Sequence, residues 1–416
     1  MATIFSASEE ASLLETAIKR YVQDVYPGNV LLSHVQREPM GGSPHPLAIK
    51  VAGASLGGVF ANAIATAREV QRYEAKLNER MLYAIGLTKG PGARSSKGAG
   101  NKAIVDIAAD CESDTKQRGS SLLEKKLLSC TGFGEIAKVA SFTGTTGAGT
   151  ITLNNPSDAL YFKGGVVAGD IIAAKDVANT ASLRAGVFTI SGVDSQTGIL
   201  TGTGSGGWDS SAGATLTGAV IGMNGDLVNS AVQSDIIGLP GWLNRTVTDV
   251  DGLLAASRTA NPQETSGWVT TGSLGVRDSI NLMCNQTFNV GGAKPTIALI
   301  GTNDYQELQD DMGDRVEIMP GLGTVPVNFD GIKFVTAKGV AVMVYPSAAL
   351  NKDRYLLDTR SLHLVSPQAE LWQPLCNYGD RGFRSLENQD ALRLDLVAQC
   401  AFGISHPAGQ ARYIRV

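Results

Sequence analysis

The segment NKAIVDIAADCESDTKQRGSSLLEKKLLSCTGFG occupies residues 101–134 and organises the chain around one long helix. A three-and-four spacing, the period of an amphipathic helix, is followed by Ile104, Ile107, Ala108, Cys111, Thr115 and Leu122, and Leu123 and Leu127 extend it. The remaining positions are mainly charged or polar, so one side of the helix is expected to face solvent. We predict a helix over residues 100–131, ended by Gly132, because glycine readily adopts the left-handed conformation that closes many helices.

Strand patterns and turns precede this helix. Val30–Val35, Leu47–Val51 and Met81–Leu87 have strand-like sequences, and charged residues are frequent between them. A two-stranded hairpin is marginally stable on its own in water, so it is expected to pack on a neighbouring subunit. The sequence therefore predicts a long hairpin over residues 29–90.

Residues 1–28 form a separate short unit. Ser6 and Glu9 match a capping box, in which each side chain accepts a hydrogen bond from a backbone N–H at the start of a helix. Apolar residues follow at helical spacing from Leu14 to Val25. We expect an N-terminal arm that contains one helix.

The composition changes after the long helix. Residues 133–235 are rich in Gly, Thr, Ser, Val and Ala and carry few charges. Short runs such as Gly186–Ile190 and Ile199–Thr201 alternate with turn residues, which is typical of a small β-rich module. We predict such a module over residues 139–222.

The remaining chain combines helix and strand patterns. Residues 236–375 contain a helical pattern at Val276–Thr287 and a strand pattern at Thr296–Ile300, which favours a central sheet with helices packed on it. Residues 376–416 contain a long strand pattern at Ala391–Cys400. The predicted fold class is α+β.

Composition excludes several classes of protein. Among 416 residues, 35 are Lys or Arg and 39 are Asp or Glu, which gives a net charge of −4. That balance argues against a nucleic-acid binder that works by charge alone, and 43% hydrophobic residues argue against a disordered acidic chain. No apolar run approaches the ~18 residues that a membrane span needs. The five cysteines lack C-x-x-C pairs and the four histidines lack metal-ligand spacing, so no metal or other cofactor is predicted.

One local motif supports an enzymatic alternative. Gly53–Gly57 reads G-A-S-L-G and fits the G-x-S-x-G nucleophile elbow, with Ser55 as the nucleophile and His363 or His406 as the base. Only one helix and two short strands are predicted before Ser55, whereas an α/β-hydrolase places several strands and an oxyanion loop there. The bend that these glycines permit is the simpler interpretation, and a serine hydrolase is the second hypothesis.

The order of these elements resembles the major capsid protein of tailed bacteriophages, which has the Hong Kong 97 fold. Three local pieces carry the resemblance. Ile85-Gly86-Leu87-Thr88 closes the hairpin before the long helix, and Gly132-Phe133-Gly134 leads from that helix into the β-rich section. A strand–turn–strand pattern at Ser191–Thr201 then leads to Gly238-Leu239-Pro240-Gly241-Trp242.

The resemblance implies a division of the chain that is known from that family. The hairpin corresponds to the E-loop, and the long helix corresponds to the spine of a peripheral domain. The implied divisions are an N-terminal arm at 1–28, the E-loop at 29–90, a peripheral domain at 91–235 with its spine helix at 100–131 and β-rich section at 139–222, an axial domain at 236–375, and a return to the peripheral domain at 376–416.

The resemblance also implies a structural function, without an enzymatic activity or a cofactor. Many copies would form the hexamers and pentamers of an icosahedral shell around double-stranded DNA, without sequence-specific binding. The implied location is the virion capsid, assembled in the host cytoplasm, and the implied further partners are separate scaffolding, portal and decoration proteins, with no membrane. An encapsulin-like compartment of the same fold, which would enclose protein cargo, is a further alternative.

Opposite charges on the hairpin are candidates for contacts between subunits. Charge pairs across an interface set its register more than its affinity. The candidate residues are Arg37, Glu38, Arg68, Glu69, Arg72 and Glu74.

Overall fold

The computed structural model describes most of the chain, in several stretches. These are residues 29–42, 44–50, 72–89, 102–145, 148–164, 169–176, 183–208, 216–228, 235–244, 258, 265–289, 291–313, 332–335, 341–368, 370–375, 383–385 and 391–416. Three structural units lie within them: a central sheet with the long helix, a closed barrel, and a second mixed sheet. The predicted α+β class is confirmed. Among the described helices, none is both long and apolar enough to cross a bilayer.

The predicted long helix is α2, Lys102–Ser129. Its last turns are enclosed on every side, because Leu123 and Leu127 are fully buried and the intervening Lys125 and Lys126 are also buried. The expectation that one side faces solvent therefore fails over these turns. The barrel and a neighbouring loop cover that side and supply carboxylates that neutralise the two lysines.

Two buried ion pairs provide this neutralisation. The Lys125 Nζ donates to Asp158 Oδ1 at 2.6 Å, and the Lys126 Nζ donates to Asp235 Oδ2 at 2.7 Å. A buried charge is tolerated only when it is paired and hydrogen-bonded. Each aspartate therefore offsets the cost of burying the lysine with which it pairs. Because Asp158 lies in the barrel section, its ion pair also joins the barrel to the long helix.

The central sheet is assembled from distant parts of the chain. Its longest strand, β19, pairs with β4 from Ala391↔Lys89 to Cys400↔Arg80 and then with β16. The strand β1 pairs in parallel with β16 at the edge. The strands are β1 (Gln36–Pro39), β4 (Arg80–Lys89), β16 (Leu362–Ser366), β17 (Gln373–Pro374), β18 (Phe383–Ser385) and β19 (Ala391–Ile404).

The hairpin is shorter than the range predicted for it. Its described strands, β2 (His45–Lys50) and β3 (Arg72–Leu77), pair in antiparallel register, and Leu47 and Leu77 pack close to Gly403 of β19. The strands β1 and β4, which the prediction included, belong to the central sheet instead. Residues 51–71, with the G-x-S-x-G motif, lie outside the described residues.

The strand predicted at Val30–Val35 is wrong. These residues form a short helix, α1, Val30–His34. The side chains of Ser33 and His34 both bond to the carbonyl oxygen of Val30, at 2.8 and 2.9 Å. Neighbouring residues of a strand point to opposite faces, whereas the helical turn lets Leu31 and Leu32 both be buried in the core.

The predicted β-rich module is confirmed as a closed six-stranded barrel. Its order is β10-β5-β6-β9-β8-β7, so the described strands leave no open edge. Phe188 and Trp208 fill its interior, are fully buried, and have ring centroids 5.3 Å apart. The strands are β5 (Ala137–Thr145), β6 (Ala148–Leu153), β7 (Ile171–Lys175), β8 (Phe188–Asp194), β9 (Ile199–Gly204) and β10 (Val220–Met223).

The second mixed sheet has the order β11-β20-β15-β12-β14-β13, and two helices pack on it. Its strands are β11 (Trp268–Gly272), β12 (Ile297–Gly301), β13 (Ile332–Val335), β14 (Ala341–Ser347), β15 (Asp353–Leu357) and β20 (Ala411–Arg415). The remaining helices are α3 (Leu239–Leu243), α4 (Val276–Asn289) and α5 (Thr302–Gly313).

A buried carboxyl lies between α2 and α1. Glu124 of α2 is 3% exposed, and burial raises the pKa of its carboxyl to about 7. The backbone N–H groups of Val30, Leu31 and Leu32 and the Ser347 hydroxyl lower the pKa, but they do not outweigh the loss of hydration. Near neutral pH this carboxyl is therefore on the border between its neutral and ionised forms.

The free energy of unfolding is expected to fall as the pH rises from about 4.5 to 7. The folded state holds the Glu124 proton more tightly than the unfolded state, so ionisation penalises folding by up to about 3 kcal/mol above pH 7. Glu124→Gln is expected to match the wild type near pH 5 and to exceed its stability at pH 8, measured by urea unfolding at both values. Glu74→Gln, at an exposed position, is the control. If the free energy of unfolding of Glu124→Gln depends on pH as that of the wild type does, another group is responsible for the dependence.

Candidate interaction surface

The outer face of β4 carries a line of exposed apolar side chains, which we call the apolar row. Its members are Met81, Tyr83, Ile85 and Leu87, and they are 54%, 50%, 53% and 63% exposed. They alternate along the strand, so all four project from the same face of the sheet. The row presents on the order of 400 Å² of mainly apolar surface, which is as large as the biggest patch on a typical monomer.

The other face of β4 explains why the row cannot turn inward. Leu82 is buried in the core, and Gly86 lies against the side chains of Cys111 and Thr115 of α2. A Cβ at Gly86 would be 2.9 Å from the Cys111 Sγ and closer still to the Thr115 Oγ1. Glycine at this position allows the helix and the strand to approach, and the register then directs the odd-numbered residues outward.

The partner strand is better covered than β4. Ile85 and Tyr83 lie opposite Asp395 and Val397 of β19, and these two residues are only 8% and 6% exposed. β4 pairs with β19 along one edge, and no strand of the described residues pairs with its other edge. An apolar face on an edge strand is a template for association with another chain.

The sequence carried a signal for this surface. Residues 81–87 read M-L-Y-A-I-G-L, which is an uninterrupted apolar run without the alternation of a half-exposed strand. Such a run is typical of a strand that is covered on both faces. The strand was predicted from this run, but its uncovered second face was not.

The charged residues predicted at subunit contacts are separated by the structure. Arg37 and Glu38 lie on β1 in the central sheet, whereas Arg72 and Glu74 lie on β3 of the hairpin. Arg68 and Glu69 lie outside the described residues. The Arg37 Nη2 donates to the Gln368 carbonyl at 3.4 Å, and a Glu38 oxygen bonds to His363. Their role between subunits stays a prediction.

The structure describes only the histidines of the hydrolase hypothesis. Ser55 lies outside the described residues. His363 of β16 bonds to Glu38 of β1 and to Ser405, which follows β19. His406 precedes the short 3₁₀ helix Pro407–Gly409.

Comparisons with known proteins give matches only at the level of three-dimensional structure. No protein-family model matches the chain, and no curated protein sequence matches it. The chain is similar to the structure described as the cyanophage A-1(L) capsid asymmetric unit, at 12% identity and a TM-score of 0.48, covering 95% of this chain and 94% of that chain. It is also similar to a structure from Mycobacterium phage Bobi, at 13% identity and a TM-score of 0.41, covering 100% and 99% of the two chains. The holo-SrpI encapsulin complex of Synechococcus elongatus matches at 9% identity and a TM-score of 0.43, covering 94% and 89%.

Proposed function

We propose that this chain is a structural shell protein, the major capsid protein of a tailed phage. Copies associate into hexamers and pentamers, which close an icosahedral shell around double-stranded DNA. The observation that carries this proposal is the apolar row on β4, because a folded monomer leaves it in water and a neighbouring copy would cover it.

The energy available from the row supports assembly of many copies. Burial of on the order of 400 Å² contributes about 10 kcal/mol before the entropy of association is subtracted. Such a contact is modest for one pair of molecules. In a closed shell each copy has several neighbours, and the simultaneous contacts reinforce one another.

The hairpin is a second contact in this proposal. Its base is anchored on the body through buried Leu47, Ile49, Ala75 and Leu77, whereas Glu74 and Lys76 are exposed between them. An anchored base with charged residues on its outer face suits an arm that reaches a neighbour. Arg37, Glu38, Arg68, Glu69, Arg72 and Glu74 are the proposed register-setting charges.

The net charge of −4 also suits a shell. A small charge limits repulsion among many copies, and a mildly acidic chain encloses DNA without binding it tightly. Shell formation itself requires no enzymatic activity in this proposal. The proposal includes assembly in the host cytoplasm, with separate scaffolding, portal and decoration proteins.

Electron microscopy and size-exclusion chromatography of the purified chain, with and without co-expression of its neighbouring phage genes, test the proposal. We expect closed shells, or free hexamers and pentamers. Monomers under both conditions would contradict it. Shells that enclose protein instead of nucleic acid would favour an encapsulin-like compartment.

A further inference from the structure

Three side chains from separate strands form a continuous hydrogen-bonded chain at one end of the central sheet. The Ser405 Oγ lies 3.0 Å from the His363 Nε2, and the His363 Nδ1 lies 2.8 Å from the Glu38 Oε1. Glu38 comes from β1, His363 from β16, and Ser405 follows β19 directly. The order serine, imidazole, carboxylate is the arrangement that activates a serine hydroxyl.

The carboxylate fixes the tautomer of the imidazole. An ionised glutamate only accepts hydrogen bonds, so the His363 Nδ1 must carry the proton that is shared with Glu38. In the neutral imidazole the Nε2 then presents its lone pair to the Ser405 Oγ at 3.0 Å, which is closer than the other acceptor of that hydroxyl proton, the Ser361 carbonyl oxygen at 3.4 Å. This is the protonation pattern that a general base requires.

The site is accessible in the folded chain. The side chains of His363 and Glu38 are 16% and 33% exposed, and Ser405 is half-buried. The Ser405 N–H donates to the Ser361 carbonyl at 3.0 Å, so this amide is not free to stabilise an oxyanion. Activation therefore depends on the base, and the site suits electrophiles that already carry a good leaving group.

We propose that Ser405 is a nucleophilic serine, activated by His363 and positioned through Glu38, that reacts with aryl esters and fluorophosphonates in the unassembled chain. With an ester, the Ser405 Oγ forms a bond to the carbonyl carbon, and its proton passes to the His363 Nε2. The ester C–O bond breaks, and the aryl oxide leaves with that proton as the phenol. Water then attacks the acyl group, which releases the acid and restores the serine. With a fluorophosphonate, the Ser405 Oγ forms a bond to phosphorus, the P–F bond breaks, and fluoride leaves while the His363 Nε2 takes the hydroxyl proton.

Site-resolved mass spectrometry after a timed reaction with a fluorophosphonate probe tests the proposal. Ser33 supplies an internal control, because its Oγ also lies 3.0 Å from a histidine nitrogen, the Nδ1 of His34. That Nδ1 lies 2.9 Å from the Val30 carbonyl, which only accepts, so it carries the proton and cannot act as the base for Ser33. We expect Ser405 to be labelled at least about 100-fold faster than Ser33, which is the lower range for a general base.

Variants separate activation from folding. His363→Ala is expected to slow labelling of Ser405 by about 100-fold, and added imidazole is expected to restore part of the rate. Glu38→Gln can donate its amide hydrogen to the Nδ1, which reverses the tautomer, so labelling slows and the ¹⁵N NMR signals of the His363 ring nitrogens exchange character. Equal labelling of Ser405 and Ser33, or labelling of Ser405 that is unchanged in Glu38→Gln, would overturn the proposal. Because Glu38 is also one of the charges proposed between subunits, labelling is measured on the unassembled chain, and sedimentation velocity confirms the same assembly state for each variant.

Discussion

Leu87→Glu is expected to abolish assembly of the chain while leaving its fold intact. Leu87 is 63% exposed in the folded subunit, so a carboxylate at that position remains hydrated in the free chain. In an assembled contact the same carboxylate would be buried against apolar side chains without a partner, which costs several kcal/mol. A loss of about 4 kcal/mol weakens each contact about 1,000-fold.

The matched control for this variant is Leu160→Glu. Leu160 lies on the 3₁₀ helix Pro156–Tyr161 beside the barrel and is also 63% exposed, so the chemical change and the starting exposure are the same. Sedimentation velocity and electron microscopy give the assembly state, and circular dichroism reports the fold. If Leu87→Glu assembles as Leu160→Glu does, the apolar row does not lie between copies.

The largest loss of stability is expected from Arg354→Met. The Arg354 side chain is fully buried in the second mixed sheet, and its Nε donates to Asp304 Oδ2 at 2.6 Å. Its Nη1 donates to the carbonyls of Leu274 and Gly275 and to the Ser279 Oγ, so it joins β15 to the start of α4. Removal of one member of a buried pair leaves an uncompensated charge and unpaired carbonyls, which costs about 3–5 kcal/mol.

A surface ion pair supplies the comparison for Arg354→Met. Arg118 and Asp114 of α2 are 3.1 Å apart, with side chains 68% and 65% exposed, so Arg118→Met is expected to change stability by less than about 1 kcal/mol. Urea unfolding of both variants measures the contrast. Asp304 keeps a second partner in Arg415, at 2.8 Å, which holds the expected loss near the lower end of the range. Equal losses in the two variants would show that burial of Arg354 adds nothing to its contribution.

The helix with the longest periodic pattern of apolar residues was predicted correctly. The helix α2 was correct within about two residues at each end, because many apolar positions in succession share one period. The run Val30–Val35 is too short for a period to be read from it, and its helical form lets both Leu31 and Leu32 reach the core. The barrel strands β8 and β9 lie in runs that were predicted as strands, but the closure of the barrel was not predicted.

The candidate sites likewise combine a local pattern that the sequence shows with contacts between distant residues that it does not show. The apolar run at residues 81–87 is visible in the sequence, but the faces it presents depend on Gly86 and α2. The approach of Glu38, His363 and Ser405 joins positions 325 and 42 residues apart, so no local pattern contains it. His363 was predicted as a possible base for Ser55, and its contact with Ser405 was not predicted.

The amino-acid sequence alone determined the long helix, the β-rich module, the α+β class and the order of the units, since each depends on composition or on the period of neighbouring residues. Only the tertiary structure decided which faces remain uncovered and which polar groups meet. The pairing of β4 with β19 brings together residues about 300 positions apart, and that pairing places the apolar row on the surface. Burial and hydrogen bonding are properties of contacts between distant segments, so they are fixed only when the whole chain has folded.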